Sequence, residues 1–478
     1  MTASLGAGRV ATLVGAFPRS PAYAGLADAL ILAIGDGRIP LDTRLPSERE
    51  LTDALGVSRT TVTRAYAALQ EAGYAESRRG SGTYTRVPGG RSRAHDRALV
   101  PRGDADRTID LNCSAPSAAP GVAQAYAEAV PELPAYLGGH GYFPAGLPRL
   151  QQAIATTYAD RGLPTYPEQI MVTPGALSAA SIVAHALTAP GDRVLVESPV
   201  YPNATDALRR AGGRLRPAPV DPDDWDLETT AALLQQTAPR LAYLIPDFQN
   251  PTGLLMTDSQ REQYAAALRR AHTIPVVDEA HQALPLDGQS MPRPFAAYAH
   301  DAITIGSASK GFWGGLRIGW IRAPHALMEA LTNTRVSMDL GAPVLEQLVF
   351  ARLLADAEPL LEANRTRLRE QRDALVGVVR DRLPDWRFRI PTGGLALWCQ
   401  LPDPIATAVT TEAEQRGVIV APGPVFAPEG GLDRFLRIPW TRPAEELSTA
   451  VEVLADSWAT VRSRPGRGTG RSTRVMVA

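Results

Sequence analysis

The sequence predicts an α/β protein with a small helical module ahead of it. Three observations carry this reading. From about residue 109 onward, short apolar strand-like runs alternate with helical stretches, the pattern of a sheet with helices on both faces. Before residue 87, helical periods are followed by two strand-like runs joined at a Gly-Ser-Gly turn. Between the two lies "VPGGRSRAHDRALVPRGDADR", rich in Pro, Gly and mixed charge and almost without period. A length of 478 residues leaves room for one large and at least one small domain, and 45% hydrophobic with 21% charged residues describes a globular protein with ample core.

Taken in order, residues 1–20 show no clear period and read as a flexible arm. Tyr23, Leu26, Ala27, Leu30, Ile31 and Ile34 then fall on one face of a helix that Gly35 and Gly37 end. In "LPSERELTDALGVSRTTVTRAYAALQEAGY", Ser47 and Glu50 form a capping box, Leu51, Ala54 and Leu55 face inward, and Gly56 stops the helix. Ser58 caps a second helix whose buried face is Val62, Ala65, Tyr66 and Leu69. "YAESRRGSGTYT" is a hairpin. The expected boundaries are an arm over 1–20, a small domain over 21–86, a linker over 87–108, a large domain over 109–459 and a disordered basic tail over 460–478. Strands of the large domain include 193–198, 241–246, 274–280, 302–307 and 316–321, and one long helical region covers 343–382.

Charge and cysteine content narrow the function. A formal net charge of −1 means that any nucleic-acid surface is local. Cys113 and Cys399, far apart, argue against a disulfide framework and a cysteine zinc site, and fit a reducing cytoplasm. The N-terminus lacks a secretory pattern, and no apolar run approaches membrane-spanning length.

Helix–turn–helix plus hairpin is the winged-helix layout, in which the second helix enters the major groove of DNA with its N-terminal end leading. That end carries Ser58, Arg59, Thr60, Thr61, Thr63 and Arg64. Arginine can read guanine with a forked pair of hydrogen bonds, and hydroxyls suit phosphates or base edges. Arg44 and Arg49 sit near the start of the preceding helix, and Arg78 and Arg79 lead into Gly80 and Gly82 at the wing tip. Ordinary solvated arginines are the competing explanation, and 10 Arg against 8 Asp plus Glu over residues 1–86 does not decide between them. The pattern does: this stretch resembles the winged helix of GntR-type bacterial regulators, which implies a double-stranded DNA operator.

In the large domain Lys310 stands out, because the other 48 basic residues of the 49 are arginine. Coding bias explains scarce lysine but not where the one lysine sits. Lysine offers a primary amine that condenses with an aldehyde and whose pKa falls on burial; a guanidinium does neither. Ser307, Ser309 and Arg317 surround it in sequence, two hydroxyls and a fixed cation beside an amine. An amine next to a phosphate clamp suggests pyridoxal phosphate. "VTPGALSAA" ends a strand and opens a helix, so backbone N–H groups of Gly175 and Ala176 can hold phosphate oxygens. Tyr201 follows a strand where an aromatic ring could stack on a pyridine, or be a core tyrosine. Asn250 sits at an Asn-Pro-Thr-Gly turn. Asp278 ends an apolar strand, where a carboxylate needs a partner such as a pyridinium nitrogen or a backbone N–H.

These motifs in this order resemble fold-type I, class I/II aminotransferases over about residues 109–458, and with the winged helix the whole looks like the MocR group of regulators. The resemblance implies a mixed, mostly parallel sheet with a smaller C-terminal α+β subdomain, and a homodimer with swapped winged-helix domains. It implies that Lys310 holds pyridoxal 5′-phosphate as a Schiff base and that Ser307, Arg317, Gly175 and Ala176 bind its phosphate. It pairs Asp278 with the ring nitrogen and Asn250 with the 3-hydroxyl, stacks Tyr201, and gives Arg437 of "FLRIPW" a substrate carboxylate. Two positions depart from it. His281 stands where the family usually has a tyrosine donating to the 3-hydroxyl, and the partner-subunit tyrosine falls on Gly141, with Tyr142 one place off, counted from Gly146. A DNA-binding regulator is then expected to sense an amine or amino acid by external aldimine formation at Lys310; the alternative is an active aminotransferase with a fused autoregulatory winged helix.

Overall fold

The computed structural model describes residues 4–35, 38–39, 43–78, 80–86 and 108–463. The expected linker, the expected tail beyond residue 463, Gly37 and Arg79 lie outside these residues. The described chain forms two compact units.

The first unit takes the N-terminal residues through the hairpin and, in addition, Ala118–Glu128. Its helices are α1 (Ala7–Val14), α2 (Ala22–Gly35), α3 (Glu48–Leu55) and α4 (Arg59–Glu71), followed by strands β1 (Ala75–Arg78) and β2 (Gly82–Thr85). The reading of residues 1–20 as a loose arm is corrected by α1. Val10, Val14 and Phe17 are buried in the same core as Leu26, Leu30, Leu51, Val62 and Leu69. This short amphipathic helix has no acidic residue in its first turn and no basic residue in its last, and the core it joins stabilises it. At α3 the capping box is present: Ser47 Oγ accepts from the Glu50 N–H at 3.3 Å, and Glu50 accepts from the Ser47 N–H at 2.9 Å. Leu51 is buried, but Ala54 is exposed rather than inward-facing. β1 and β2 pair antiparallel from Ala75 with Thr85 to Arg78 with Gly82.

The second unit holds a seven-stranded sheet and a smaller C-terminal part. Its strands are β3 (Ile109–Asp110), β4 (Ile170–Thr173), β5 (Arg193–Ser198), β6 (Arg214–Pro219), β7 (Leu241–Leu244), β8 (Ile274–Asp278), β9 (Ile303–Ser307), β10 (Gly319–Arg322), β11 (Ala396–Gln400), β12 (Val418–Ile419), β13 (Ala421–Pro422) and β14 (Phe435–Pro439). The large sheet runs β4-β10-β9-β8-β7-β5-β6. All neighbours are parallel except β10, which is antiparallel to both β4 and β9. Side chains alternate across it with period two. Ile321 packs with the helix Ala176–Leu187 and Leu331, while Trp320 turns to Tyr158 and stacks on Phe350 from the other helices, so both faces are covered. The expected helix over 343–382 is two helices, Val344–Ala355 and Ala357–Arg382, because Asp356 leaves helical geometry at φ −135° and ψ 46°.

In the C-terminal part β11-β14-β13 form an antiparallel sheet, and β3 pairs with β12. Leu397, Leu436, Ile438 and Trp440 pack against Leu375, Val409 and Val451 of three helices. The last helix, Ala444–Ser463, runs four residues past the expected domain end. Leu397 is fully buried in this cluster. Leu397→Ala should therefore cost about 2–5 kcal/mol and Leu397→Met under about 1.5 kcal/mol, read as shifts of the urea midpoint followed by tryptophan fluorescence.

Candidate functional site

β4, β5, β7, β8 and β9 point the same way, so their C-terminal ends share one edge of the sheet, the edge where open α/β sheets bind ligands. Past those ends come Ala176, Tyr201, Asn250, Asp278 with His281, and Ser307 with Ser309 and Lys310. Arg317 lies on the return to β10. All of these line one cavity of about 340 Å³, together with Cys113, Asn203 and Tyr243.

Lys310 is half-buried, with Nζ donating to the Ser114 carbonyl at 3.0 Å. Burial pushes its amine down to about 8; Arg437 and Arg317 push the same way, against Cys113 and Asp278. Asn364, itself buried, donates to the Gly311 carbonyl at 2.9 Å and holds the lysine loop. Asp278 accepts from Tyr243 Oη at 2.5 Å and from the Ala280 N–H at 2.9 Å. Burial nevertheless raises its pKa, with Tyr243 and the Lys310 charge acting in opposition.

Opposite them, the helix Ala176–Leu187 starts at the cavity without a side-chain cap, so its first N–H groups are available to an anion. Gly175 is not in the wall. It is buried with φ 94°, and a Cβ there would lie 2.6 Å from Arg317 Nη2, so its bare backbone makes room for the guanidinium. Arg317 Nη2 donates to the Pro174 carbonyl at 2.9 Å. Gly319 approaches just as closely, since its Cβ would meet the Gly175 carbonyl carbon at 2.5 Å. Ser307 Oγ accepts from the Ser309 N–H at 3.2 Å. Tyr201 Oη accepts from Asn203 at 2.9 Å.

Two more expected residues lie outside the wall. Arg437 is fully buried behind the wall rather than in it. Its Nη1 donates to Asn250 Oδ1 at 3.2 Å, Nη2 donates to the Asn112 carbonyl at 2.6 Å, and Nε has no partner among the described residues. Burial lowers its pKa to about 10. Tyr142 is 56% exposed, stacked on His140 and outside the cavity. Sequence reasoning missed Tyr243, which sits inside an apolar strand and looks like core, and Cys113 and Ser114, which no local pattern ties to a lysine nearly two hundred residues on.

In the first unit, Arg59 is 79% exposed at the start of α4, and Arg44, Arg49, Thr60, Gly80 and Gly82 are exposed as well. Ser58 and Thr61 use their hydroxyls on the cap, at 3.1 Å to the Thr61 N–H and 2.8 Å between oxygens. Thr63 donates to Glu48 at 2.8 Å, and the Arg64 guanidinium lies 3.7 Å over the Tyr23 ring.

Residues 22–85 match the gntR family of bacterial regulatory proteins, and residues 108–454 match aminotransferase class I and II. The probable rhizopine catabolism regulatory protein MocR of Rhizobium meliloti is 30% identical over 77% of this chain and 78% of its own. The chain belongs to the MocR-type regulators. The uncharacterized HTH-type transcriptional regulator YisV of Bacillus subtilis (strain 168) is 27% identical over 88% of this MocR-type chain and 92% of its own. Among solved structures, the α-aminoadipate aminotransferase LysN of Thermus thermophilus, complexed with N-(5′-phosphopyridoxyl)-L-leucine, is 26% identical with a TM-score of 0.69. The match covers 75% of this chain and 93% of that one.

The cofactor of this regulator family is pyridoxal 5′-phosphate, and the donor set fits it: a buried amine of lowered pKa, a guanidinium beside an uncapped helix start, and a buried carboxylate. Among the described residues no helix is long and apolar enough to cross a membrane. Lys310 also has a signature of its own in cofactor-free protein. With its pKa at about 8 rather than the usual 10.5, burial of the ammonium costs stability below pH 8, and the cost fades as pH rises to 10.5 because there the unfolded chain binds the extra proton. Lys310→Met should raise the melting temperature of cofactor-free protein at neutral pH, and scanning calorimetry should find the advantage shrinking through that window.

Proposed function

We propose that this regulator senses a small amine or amino acid in the cavity and changes its hold on operator DNA in response. The observation that carries the reading is Lys310: one amine, partly neutral near physiological pH, lining a cavity that also holds Asp278, Asn250 and Arg317. Bound pyridoxal phosphate supplies an aldehyde carbon on which one primary amine can replace another. Lys310 would hold that carbon and give way to an effector amine. Arg317, Ser307, Ser309 and the N–H groups at Ala176 would take the phosphate, with Gly175 making room for the guanidinium. Asp278, anchored by Tyr243, would keep the ring nitrogen protonated, and Tyr201 would pack on the ring. Arg437 would meet an effector carboxylate with Nε, which makes no hydrogen bond to a described residue, or by exchanging the bonds that Nη1 and Nη2 now make to Asn250 and Asn112. Such a rearrangement would be a way to register that a carboxylate has arrived.

A homodimer with exchanged winged-helix domains is part of the proposal. Leu177 at the cavity lining and Trp313 beside Gly314 of that lining are exposed, as are Val336, Met338, Leu340 and Tyr142, which suits burial against a second copy. On DNA, Arg59 is the residue best placed to read a base, with Arg44, Arg49 and the wing tip on phosphates. The second reading is a working aminotransferase in which freed Lys310 carries a proton between the two carbons flanking nitrogen, favoured by Asp278, Lys310 and Arg437 all being present. The effect of any amine on DNA is bounded by its differential affinity for the two DNA-binding states.

The test is selection of DNA by the purified chain with and without candidate amines, recorded alongside the cofactor spectrum. Arg59→Ala should weaken specific binding by about 1–3 kcal/mol, and Lys310→Ala should abolish the response to amines. Equal affinity for selected and random DNA would overturn the operator reading, and steady keto-acid production without any effect of the same amine on DNA would favour the enzyme.

A further inference from the structure

His281 stands where the resemblance expects a phenol that donates to the cofactor's 3-oxygen, and its surroundings set its hydrogen-bond polarity. Nδ1 lies 3.0 Å from the Phe248 carbonyl. A carbonyl only accepts, so Nδ1 carries the hydrogen. The ring is neutral: burial pushes its pKa down to about 4, and the positive charges of Lys310 and Arg437 act in the same direction. Asp247, whose charge favours the protonated ring, is paired with Arg261 at 2.5 Å, and Asp278 on the same cavity wall accepts from Tyr243. A neutral ring bonded through Nδ1–H keeps a lone pair on Nε2. His281 lines the cavity, and its Nε2 makes no hydrogen bond to a described residue.

Asn250 has the opposite polarity. Arg437 has no acceptor, so its donation to Asn250 Oδ1 fixes the amide and leaves Nδ2–H to face the cavity. The two side chains line the same cavity and also share a small void beside Phe248 and Gln249. The wall therefore offers one donor and one acceptor side by side. A hydroxyl satisfies both, accepting from Asn250 and donating to His281. An oxyanion would accept from Asn250 but confront the Nε2 lone pair. We infer that His281 and Asn250 together hold the 3-oxygen of the bound cofactor as a neutral hydroxyl, the reverse of the polarity a tyrosine at position 281 would impose. The inference rests on the proposal that pyridoxal phosphate occupies this cavity with its 3-oxygen at Asn250. His281 is on this account a positioning residue for a proton.

The full chain loaded with pyridoxal phosphate tests it. Hydride trapping followed by peptide mass spectrometry reports whether the cofactor is attached at Lys310, and the absorption spectrum reports the proton. With the proton on oxygen, the near-ultraviolet band dominates over the visible one. His281→Tyr should move that ratio toward the visible by roughly tenfold, the size of one net hydrogen bond. A trapped adduct on Lys310 with a dominant visible band that His281→Tyr leaves unchanged would overturn the inference and spare the cavity reading. No adduct on Lys310 would overturn both. Should the variant fail to fold, ¹⁵N-histidine spectra of the loaded wild type at about pH 5.5, where ordinary imidazoles are mostly charged, decide it. One neutral ring protonated on Nδ1 supports the inference; a ring protonated on Nε2 overturns it.

Discussion

A primary amine set into the cavity wall is the constraint on which the large unit turns. Lys310 is unfavourable where it is: burial and two nearby guanidinium groups all oppose its charge. It is retained against that opposition by a loop tied down from three directions, by Asn364 beneath, the Ser114 carbonyl at its tip, and the strands on either side. The rest of the cavity follows from the same sheet edge. Parallel strands end together, and the segments that follow them deliver the cavity's polar groups. Burial shifts the carboxylate of Asp278 up and the imidazole of His281 down, in both cases toward the neutral form. Perturbed groups gathered in one cleft are a mark of function rather than of packing.

Legibility followed how local each signal was. The capping box at Ser47 and Glu50, the buried face Val62, Ala65, Tyr66 and Leu69, and the hairpin from Ala75 are written within a few residues, and they stand as read. Strand-end residues such as Asn250, Asp278 and Lys310 were readable because a polar group follows an apolar run. β6 was passed over because Arg214, Arg216 and two prolines resemble a loop; as an edge strand it tolerates both. The reversal of β10 leaves no trace in period, since parallel and antiparallel strands alternate identically. α1 was missed because eight residues without helpful charges at either end are recognisable as a helix only through the core they complete. Within the site, the covering of Arg437 by Asn112 and Asn250 depends on residues hundreds of positions apart and could not be read from either neighbourhood.

The small unit shows the same tension between structure and function on a smaller scale. Of the hydroxyls and cations at the head of α4, several already have partners: Ser58 and Thr61 in the cap, Thr63 on Glu48, and Arg64 on Tyr23. Arg59 lies 3.7 Å from Glu48 and is otherwise free to swing. Glu48 thus occupies the spot an approaching phosphate would want, and the same carboxylate favours the start of α3 through the helix dipole. A composition that is barely basic fits a surface where a few well-placed groups, rather than overall charge, do the binding.

The hairpin from β9 to β10 has one more consequence. Lys310 and Arg317 sit on a single loop whose two ends are zipped in register, Ser307 against Gly319, and the glycines at 175 and 319 leave no slack behind it. The backbone that carries the amine and the guanidinium is therefore set by the strands at its two ends. On the proposed reading, a loop so braced would act as a ruler, set to the separation between a ligand's electrophilic carbon and its anionic group.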